Sequence, residues 1–226
     1  MHDFLGMKLD CTEDGMVKAD MFEHIISMVT EFPMDLKKMQ PVSSPDADCL
    51  QKVRDDIQKL SKTKAEIFHN MVARGLFVTK QARGNVHATA SFLCARVQSP
   101  DANDWKKLCR LMRHLCQTVK LAPRLGVGCM SVINWQVDAA HTVHKACKGQ
   151  TGAVVTLGKG TICNASTKQK LNARSSAESE SVGSNDAMPQ LSWTNYFFRS
   201  PRMVNTRHCC GSRQQKMHAI REEWQS

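Results

Sequence analysis

"TGAVVTLGKGTICNAS", Thr151 to Ser166, decides how this chain is read. Two runs rich in β-branched residues flank Gly158-Lys159-Gly160, a composition that makes a tight turn between two strands. "SVINWQVDA", Ser131 to Ala139, has the same character upstream. Three such runs in succession predict a three-stranded meander. Downstream, the basic run "TKQKLNAR" gives way at Ser175-Ser176 to Ala-Glu-Ser-Glu. Either serine can cap a helix running towards Met188, although Gly183 weakens that helix and Pro189 is expected to end or kink it. Ser175 and Glu178 have capping-box spacing, whereas the residue three before Glu180 is Ala177, which has no hydroxyl. Glu178 therefore has a ready structural task, and Glu180 does not.

Nearer the N-terminus the pattern is different. "FLGMKLD" alternates loosely from Phe4 to Leu9, "CTEDG" supplies turn chemistry ending at Gly15, and "MVKADM" resumes an extended style, so a β-hairpin is predicted. Met21 to Phe32 places Ile25, Met28, Val29 and Phe32 on one helical face, closed by Pro33. The stretch from Pro33 to Asp48, with "SSPDAD", reads as a surface loop. Three helical segments follow over Ser61 to Gln81, Asn85 to Val97 and Asp101 to Thr118. The last has acids in its first turn and Trp105, Leu108, Leu111, Met112 and Leu115 on one stripe. Its other faces carry Lys106, Lys107, Arg110 and Arg113, which form either a solvated surface or one that tracks phosphates.

The 226 residues carry a formal charge of +10 and 42% hydrophobic content. The content suits a globular protein, and the charge favours a polyanionic partner through counterion release and steering. There is no run of 18 apolar residues, no signal-peptide core and no acceptor glycine at position 2, so membrane attachment is not expected. An intracellular protein, in cytoplasm or nucleus, is expected. Nothing in the sequence sets an oligomeric state. The ten cysteines are scattered without a Cys-x-x-Cys pair and are read as free thiols. "HTVHKAC" (His141, His144, Cys147) and "RHCC" with His218 bring soft ligands close, but neither has a second half at zinc-finger spacing.

The first predicted strand ends near Asp138, and Glu180 lies in the second turn of the helix after the third strand. Such a pair is one way to hold Mg²⁺, a hard cation that prefers carboxylate oxygens and retains several waters. Two such ions would activate water and stabilise the leaving oxygen in phosphodiester cleavage. The plain alternative is that both glutamates complement the helix N-terminus.

"VDAAHTVH", "KGQTGAVVTLGKGTICNASTKQKLNARSSAESESVG" and "MPQLSWTNYFF" resemble the ribonuclease H region of copia-type LTR retrotransposon Pol polyproteins. "FLGMKLD" and "FHNMVARGLFVTKQARGNVHATASFLCARVQSPDANDWKKLCRLMRHL" resemble the segment that joins reverse transcriptase to that region, beginning at its primer-grip hairpin. The resemblance runs from about Phe4 to Phe198 with its motifs in family order. It implies that Asp138 and Glu180 are catalytic, metal-binding carboxylates for Mg²⁺. It makes Asp186 a bystander. The implied substrate is the RNA strand of an RNA–DNA hybrid, which gives Lys106, Lys107, Arg110 and Arg113 a backbone-contacting task. The chain departs from the family in several places. The polymerase aspartates would lie before Phe4, Ser181 stands where a large side chain is usual, and the Asp-Asn pair of the fourth strand is missing.

After Phe198 the pattern breaks, with six basic residues against two acids and no strand alternation. A frameshift accounts for this. A permissible codon string for Arg213 to Ser226, started one base later, encodes Asp-Asn-Lys-Lys-Cys-Met-Leu-Leu-Glu-Lys-Asn-Gly-Lys, which resembles the missing segment. "FFRSPRM" likewise permits Phe-Leu-Glu-Ala-Gln-Gly-Trp in the same shifted frame. The expected architecture is α+β. Residues 1–125 hold a hairpin and helices from the end of reverse transcriptase. Residues 126–198 form an incomplete ribonuclease H-like domain of meander plus helix, and 199–226 form an aberrant, disordered tail. Loss of the fourth strand is expected to leave the Asp138 strand with an open edge. The nuclease is expected to be weak or absent. The rival readings are a basic nucleic-acid-binding remnant and a functionless pseudogene product.

Overall fold

A computed structural model describes residues 1–11, 15–46, 50, 52–53, 58–127, 132–144, 147–199 and 207–211. The chain is mixed α+β and divides into two compact units, Met1–Arg124 and Leu125–Ser226.

The first unit opens with β1 (His2–Phe4), β2 (Met7–Asp10) and β3 (Met16–Asp20), paired antiparallel in that order. The expected hairpin is β2–β3, although Thr12 to Asp14 of its turn lie outside the described residues. β1 is additional. It turns into β2 through Leu5 and Gly6, both at positive φ (48° and 76°), a conformation that glycine adopts freely and leucine does not. Helix α1 (Phe22–Glu31) follows, with the Asp20 carboxylate accepting from the Phe22 N–H at 2.6 Å. The expected loop after Pro33 contains one short 3₁₀ turn, Leu36–Lys38.

Helix α2 (Lys62–Gln81) buries Phe68, Met71, Val72, Gly75 and Val78 at helical spacing. A 3₁₀ turn, Gly84–Val86, leads into α3 (His87–Cys94), which is shorter than the predicted Asn85 to Val97. Helix α4 (Ala102–Gln117) begins at Asp101, whose carboxylate accepts from the N–H groups of Asn103 and Asp104, both at 2.8 Å. The Asp104 side chain returns to the Asp101 N–H at 3.1 Å, completing a capping box. Arg96 ties the two acids together through Nη2 to Asp101 and Nε to Asp104 at 3.1 and 3.0 Å. The apolar stripe of α4 closes the core on α2: Phe68, Val72, Leu108 and Leu115 have no measurable exposure. Arg83 is buried at the ends of both helices. It donates from Nε to Asn85 and from Nη1 and Nη2 to the carbonyl and hydroxyl of Thr118. Burial lowers its guanidinium pKa to about 10.

In the second unit β4 (Arg124–Val127) pairs through Gly126 and Val127 with β7 (Gly158–Lys159). The meander is β5 (Val132–His144), β6 (Lys148–Thr156) and β8 (Thr161–Lys168), antiparallel throughout. β5 runs beyond the predicted Ala139 to His144, with irregular pairing between Ala140 and His144, where Thr142 has φ of 52°. Helix α5 (Ser176–Arg199) continues through Pro189, so the proline does not end it. Ala187 and Leu191, on either side of the proline, both pack on the sheet core of Ile133, Trp135 and Val155. Tertiary packing there outweighs the hydrogen bond that proline cannot donate. The tail supplies β9 (Arg207–Gly211), parallel to β5 with Val132 opposite Arg207 and Gln136 opposite Gly211. The sheet order is β8-β6-β5-β9. This corrects two expectations: a segment of the tail is ordered as a strand, and β5 has a neighbour at the edge expected to be open.

Candidate functional site

Among the described residues three of the four Lys and Arg side chains of α4 have partners. Lys106 is exposed. Lys107 is buried, with Nζ donating to the Lys52 carbonyl at 2.9 Å and lying 4.5 Å from the centre of the Phe92 ring. Arg110 shares its Nε–H between the carbonyls of Ser44 and Asp46, both at 3.1 Å. Arg113 donates to the Gln40 carbonyl from Nη2 and from Nε, the latter at 3.1 Å. One turn on, Gln117 Oε1 accepts from the Val42 N–H at 2.9 Å. Of the two surfaces left open for these residues, neither is bare at Lys107, Arg110 and Arg113, whose side chains hold an irregular stretch of the chain's own backbone. The partners lie 55 to 73 positions away in sequence, beyond the reach of any local pattern.

The two candidate metal carboxylates are placed by the sheet. Asp138 lies opposite Gly152, and Gly152 opposite Ser166, so these three share one face. Helix α5 covers the other face. Val137 packs in the core with Ala187 of α5, and a Cβ added at Gly183 would meet the Ala139 Cβ at 3.1 Å. Alternation turns Asp138 away from α5. Its side chain is exposed and accepts from the Ala139 N–H at 3.0 Å. Glu180 is half-buried on α5, next to the fully buried Ser179. Carboxylate oxygens are the right donors for Mg²⁺, which needs them to converge in a tight octahedral shell. Asp138 and Glu180 start from opposite sides of the sheet. No three His, Cys, Asp or Glu side chains gather as a possible metal group among the described residues. β9, as Arg-His-Cys-Cys-Gly, adds no carboxylate. The arrangement does not fit a magnesium centre.

Glu178 makes half of the capping box its spacing predicts, with its carboxylate on the Arg174 N–H in place of the Ser175 N–H. Its Oε2 accepts from the Arg174 N–H at 2.7 Å, while the Ser175 hydroxyl accepts from the Glu178 N–H at 3.2 Å. The pair closes the first turn of α5. Asp186, expected to be a bystander, lies 3.4 Å from the Thr151 hydroxyl.

Sequence reading missed the polar seam beneath α5. Buried Gln169 donates from Nε2 to Thr151 Oγ1 at 3.1 Å and to the Ser179 carbonyl at 2.8 Å. His141 Nδ1 is 2.9 Å from the Ser179 hydroxyl. The signal was Ser179, Gly183 and Ala187, small residues four apart that let the helix approach the sheet closely. The other soft ligands of "HTVHKAC" are not gathered: His144 Nε2 bonds Gln150 Oε1 at 2.6 Å, and Cys147 is an exposed free thiol at φ 53°. The side chains of Cys209 and Cys210, and His218 altogether, lie outside the description.

No protein family, no curated protein and no solved structure matches the chain when it is compared with each. No helix among the described residues is long and apolar enough to cross a membrane.

Proposed function

We propose that this chain is a degenerate fragment of a copia-type retrotransposon Pol polyprotein that holds nucleic acid without cutting it. The parent region hydrolyses the RNA strand of RNA–DNA hybrids by metal-assisted phosphodiester cleavage. One observation carries the reading beyond the motifs themselves. Three antiparallel strands are followed by a helix and then by a strand parallel to the first, in the order β8-β6-β5-β9. That is the arrangement the resemblance implies for a ribonuclease H-like domain, whose fourth strand pairs with its first. Asp138 stands on the first of these strands and Glu180 on the helix, in the family's order. Their separation onto opposite faces, and a β9 without acid, support retention of the fold without its metal chemistry.

The test is a labelled RNA–DNA hybrid incubated with the full chain and Mg²⁺. The expected result is binding that weakens steeply with salt and no cleavage product. Mg²⁺-dependent cleavage abolished by Asp138→Asn would show that the nuclease survives. Absence of binding even at low salt would favour the pseudogene product, which the broken pattern after Phe198 also favours. The encoding DNA supplies a separate check, since codons forbidding the shifted reading would remove the frameshift.

A further inference from the structure

Residues 40–46 cross the polar side of α4 without regular secondary structure, and none of their side chains is buried. Anchors lie on either side, at Leu36 and Leu50, which are 3% and 7% exposed. Between the anchors the described hydrogen bonds to α4 run to the crossing's backbone: Arg113 to the Gln40 carbonyl, Gln117 to the Val42 N–H, Arg110 to the carbonyls of Ser44 and Asp46. Lys106, Arg110, Arg113 and Gln117 follow one another at helical spacings of four, three and four, so they form a single ridge. Two guanidinium groups on that ridge spend donors on neutral carbonyl oxygens. Phosphate oxygens are better acceptors, because they carry charge and take two parallel guanidinium bonds at once. The crossing offers little apolar burial to resist its own release.

We infer that residues 40–46 form a releasable strap over a polyanion-binding ridge made by Lys106, Arg110 and Arg113. A nucleic-acid backbone competes with the strap's carbonyls for the two arginines. The inference rests on the nucleic-acid reading above and deepens it by naming where phosphates are held on the first unit and what limits access. While the strap is closed, the apparent affinity falls in proportion to the fraction of molecules in which it is open. Asp46, the strap's one acid, bonds the Ser44 hydroxyl at 2.6 Å, so release also carries a like charge away from the incoming phosphates.

The experiment follows hydrogen exchange of residues 40–46 in the full chain, with and without a short RNA–DNA hybrid at low salt. Exchange in the strap is expected to rise when the hybrid is bound. Replacing residues 40–46 with a Gly-Ser stretch of equal length keeps the carbonyls but removes Pro41 and Pro45, which stiffen the backbone that presents them. It is expected to tighten binding about tenfold, as for a strap open one-tenth of the time. Arg110→Met with Arg113→Met is expected to weaken binding and to flatten the salt dependence by about two released counterions. Exchange in α2 reports whether each variant keeps its core, and the wild-type measurement needs no variant. If the hybrid binds while the strap stays protected, or the strap-replaced chain binds no tighter, the strap is not a gate and the nucleic-acid reading stands. If neither the wild type nor the strap-replaced chain binds, both fail together.

Discussion

The two units are built on different physics. Among the described residues, the first closes nineteen buried apolar side chains into one core, whereas the second closes five, Ile133, Trp135, Ala153, Val155 and Ala187. What the second lacks in apolar volume it replaces with a buried polar seam of Thr151, Gln169 and Ser179 between α5 and the sheet. An apolar core is non-directional and tolerates small shifts, so the nineteen-residue core of the first unit depends on volume. A hydrogen-bonded seam depends on geometry, because each buried polar atom left without its partner costs roughly 1–3 kcal/mol. Even in place the seam is incomplete: Gln169 Oε1 has no hydrogen-bond partner among the described residues.

The largest effect expected is therefore a cavity in the first unit. Phe68 has no measurable exposure, and Phe68→Ala is expected to cost about 3–5 kcal/mol, read by denaturant unfolding or by hydrogen exchange of α2 and α4. A cost below about 1 kcal/mol would mean that this core is loosely packed and the contrast is wrong. The matching lesion in the second unit adds one carbon. A Cβ at Gly149 would meet the Ala140 carbonyl at 2.8 Å and collide with Gln169 Oε1, so Gly149→Ala forces strand or seam to move. About 1–3 kcal/mol is expected, with faster exchange at the Gln169 N–H, which bonds the Gly149 carbonyl at 2.9 Å.

The same division explains what could be read from sequence. The helices of the first unit were legible because Leu108, Leu111, Met112 and Leu115 repeat at a local period that survives in any context. The meander was legible from β-branched runs and a glycine turn. β9 was not, since its parallel ladder uses backbone groups of residues more than seventy positions from their partners on β5. Leu5, at positive φ in the β1–β2 turn, gave no composition signal. At the site, chemistry was legible as residue type but not as direction. Asp138 and Glu180 read correctly as acids on neighbouring elements, yet only the register with Gly152 shows which face Asp138 takes. Arg110 and Arg113 read correctly as cations, but their carbonyl partners are set by tertiary structure.

Acid should sharpen the contrast next. His24 and His114 belong to the first unit, and both have pKa values held below the ordinary 6.5, by burial first and then by the cations Arg74 and Arg83 respectively. Among the described residues His24 Nε2 is buried without a hydrogen-bond partner. A folded-state pKa below the unfolded value means that the unfolded chain takes up protons first as pH falls. The first unit should keep its full stability above pH 6.5 and lose part of it as pH drops through that value towards the folded-state pKa. Hydrogen exchange of α1 and α4 at pH 7 and pH 5 checks this. His114→Gln should blunt the change, and equal protection at both pH values would remove burial of neutral histidine from the account.

The smallest effect separates the two glutamates of α5. Glu178 accepts the Arg174 N–H at the helix start, so Glu178→Ala should cost about 0.5–2 kcal/mol, the usual range for a lost cap. Glu180 stands one helical step from Ser179 but across the sheet from Asp138, and Glu180→Gln should change stability by no more than about 0.5 kcal/mol. Magnesium makes the comparison decisive. A cation held by folded carboxylates alone must stabilise the fold by mass action. Thermal midpoints of wild type and Glu180→Gln measured with and without Mg²⁺ should therefore move together. If Mg²⁺ raised the wild-type midpoint, and Glu180→Gln or Asp138→Asn erased the rise, the two acids would have to meet on one ion. The face assigned to Asp138 by its register with Gly152 would then be the statement that had failed.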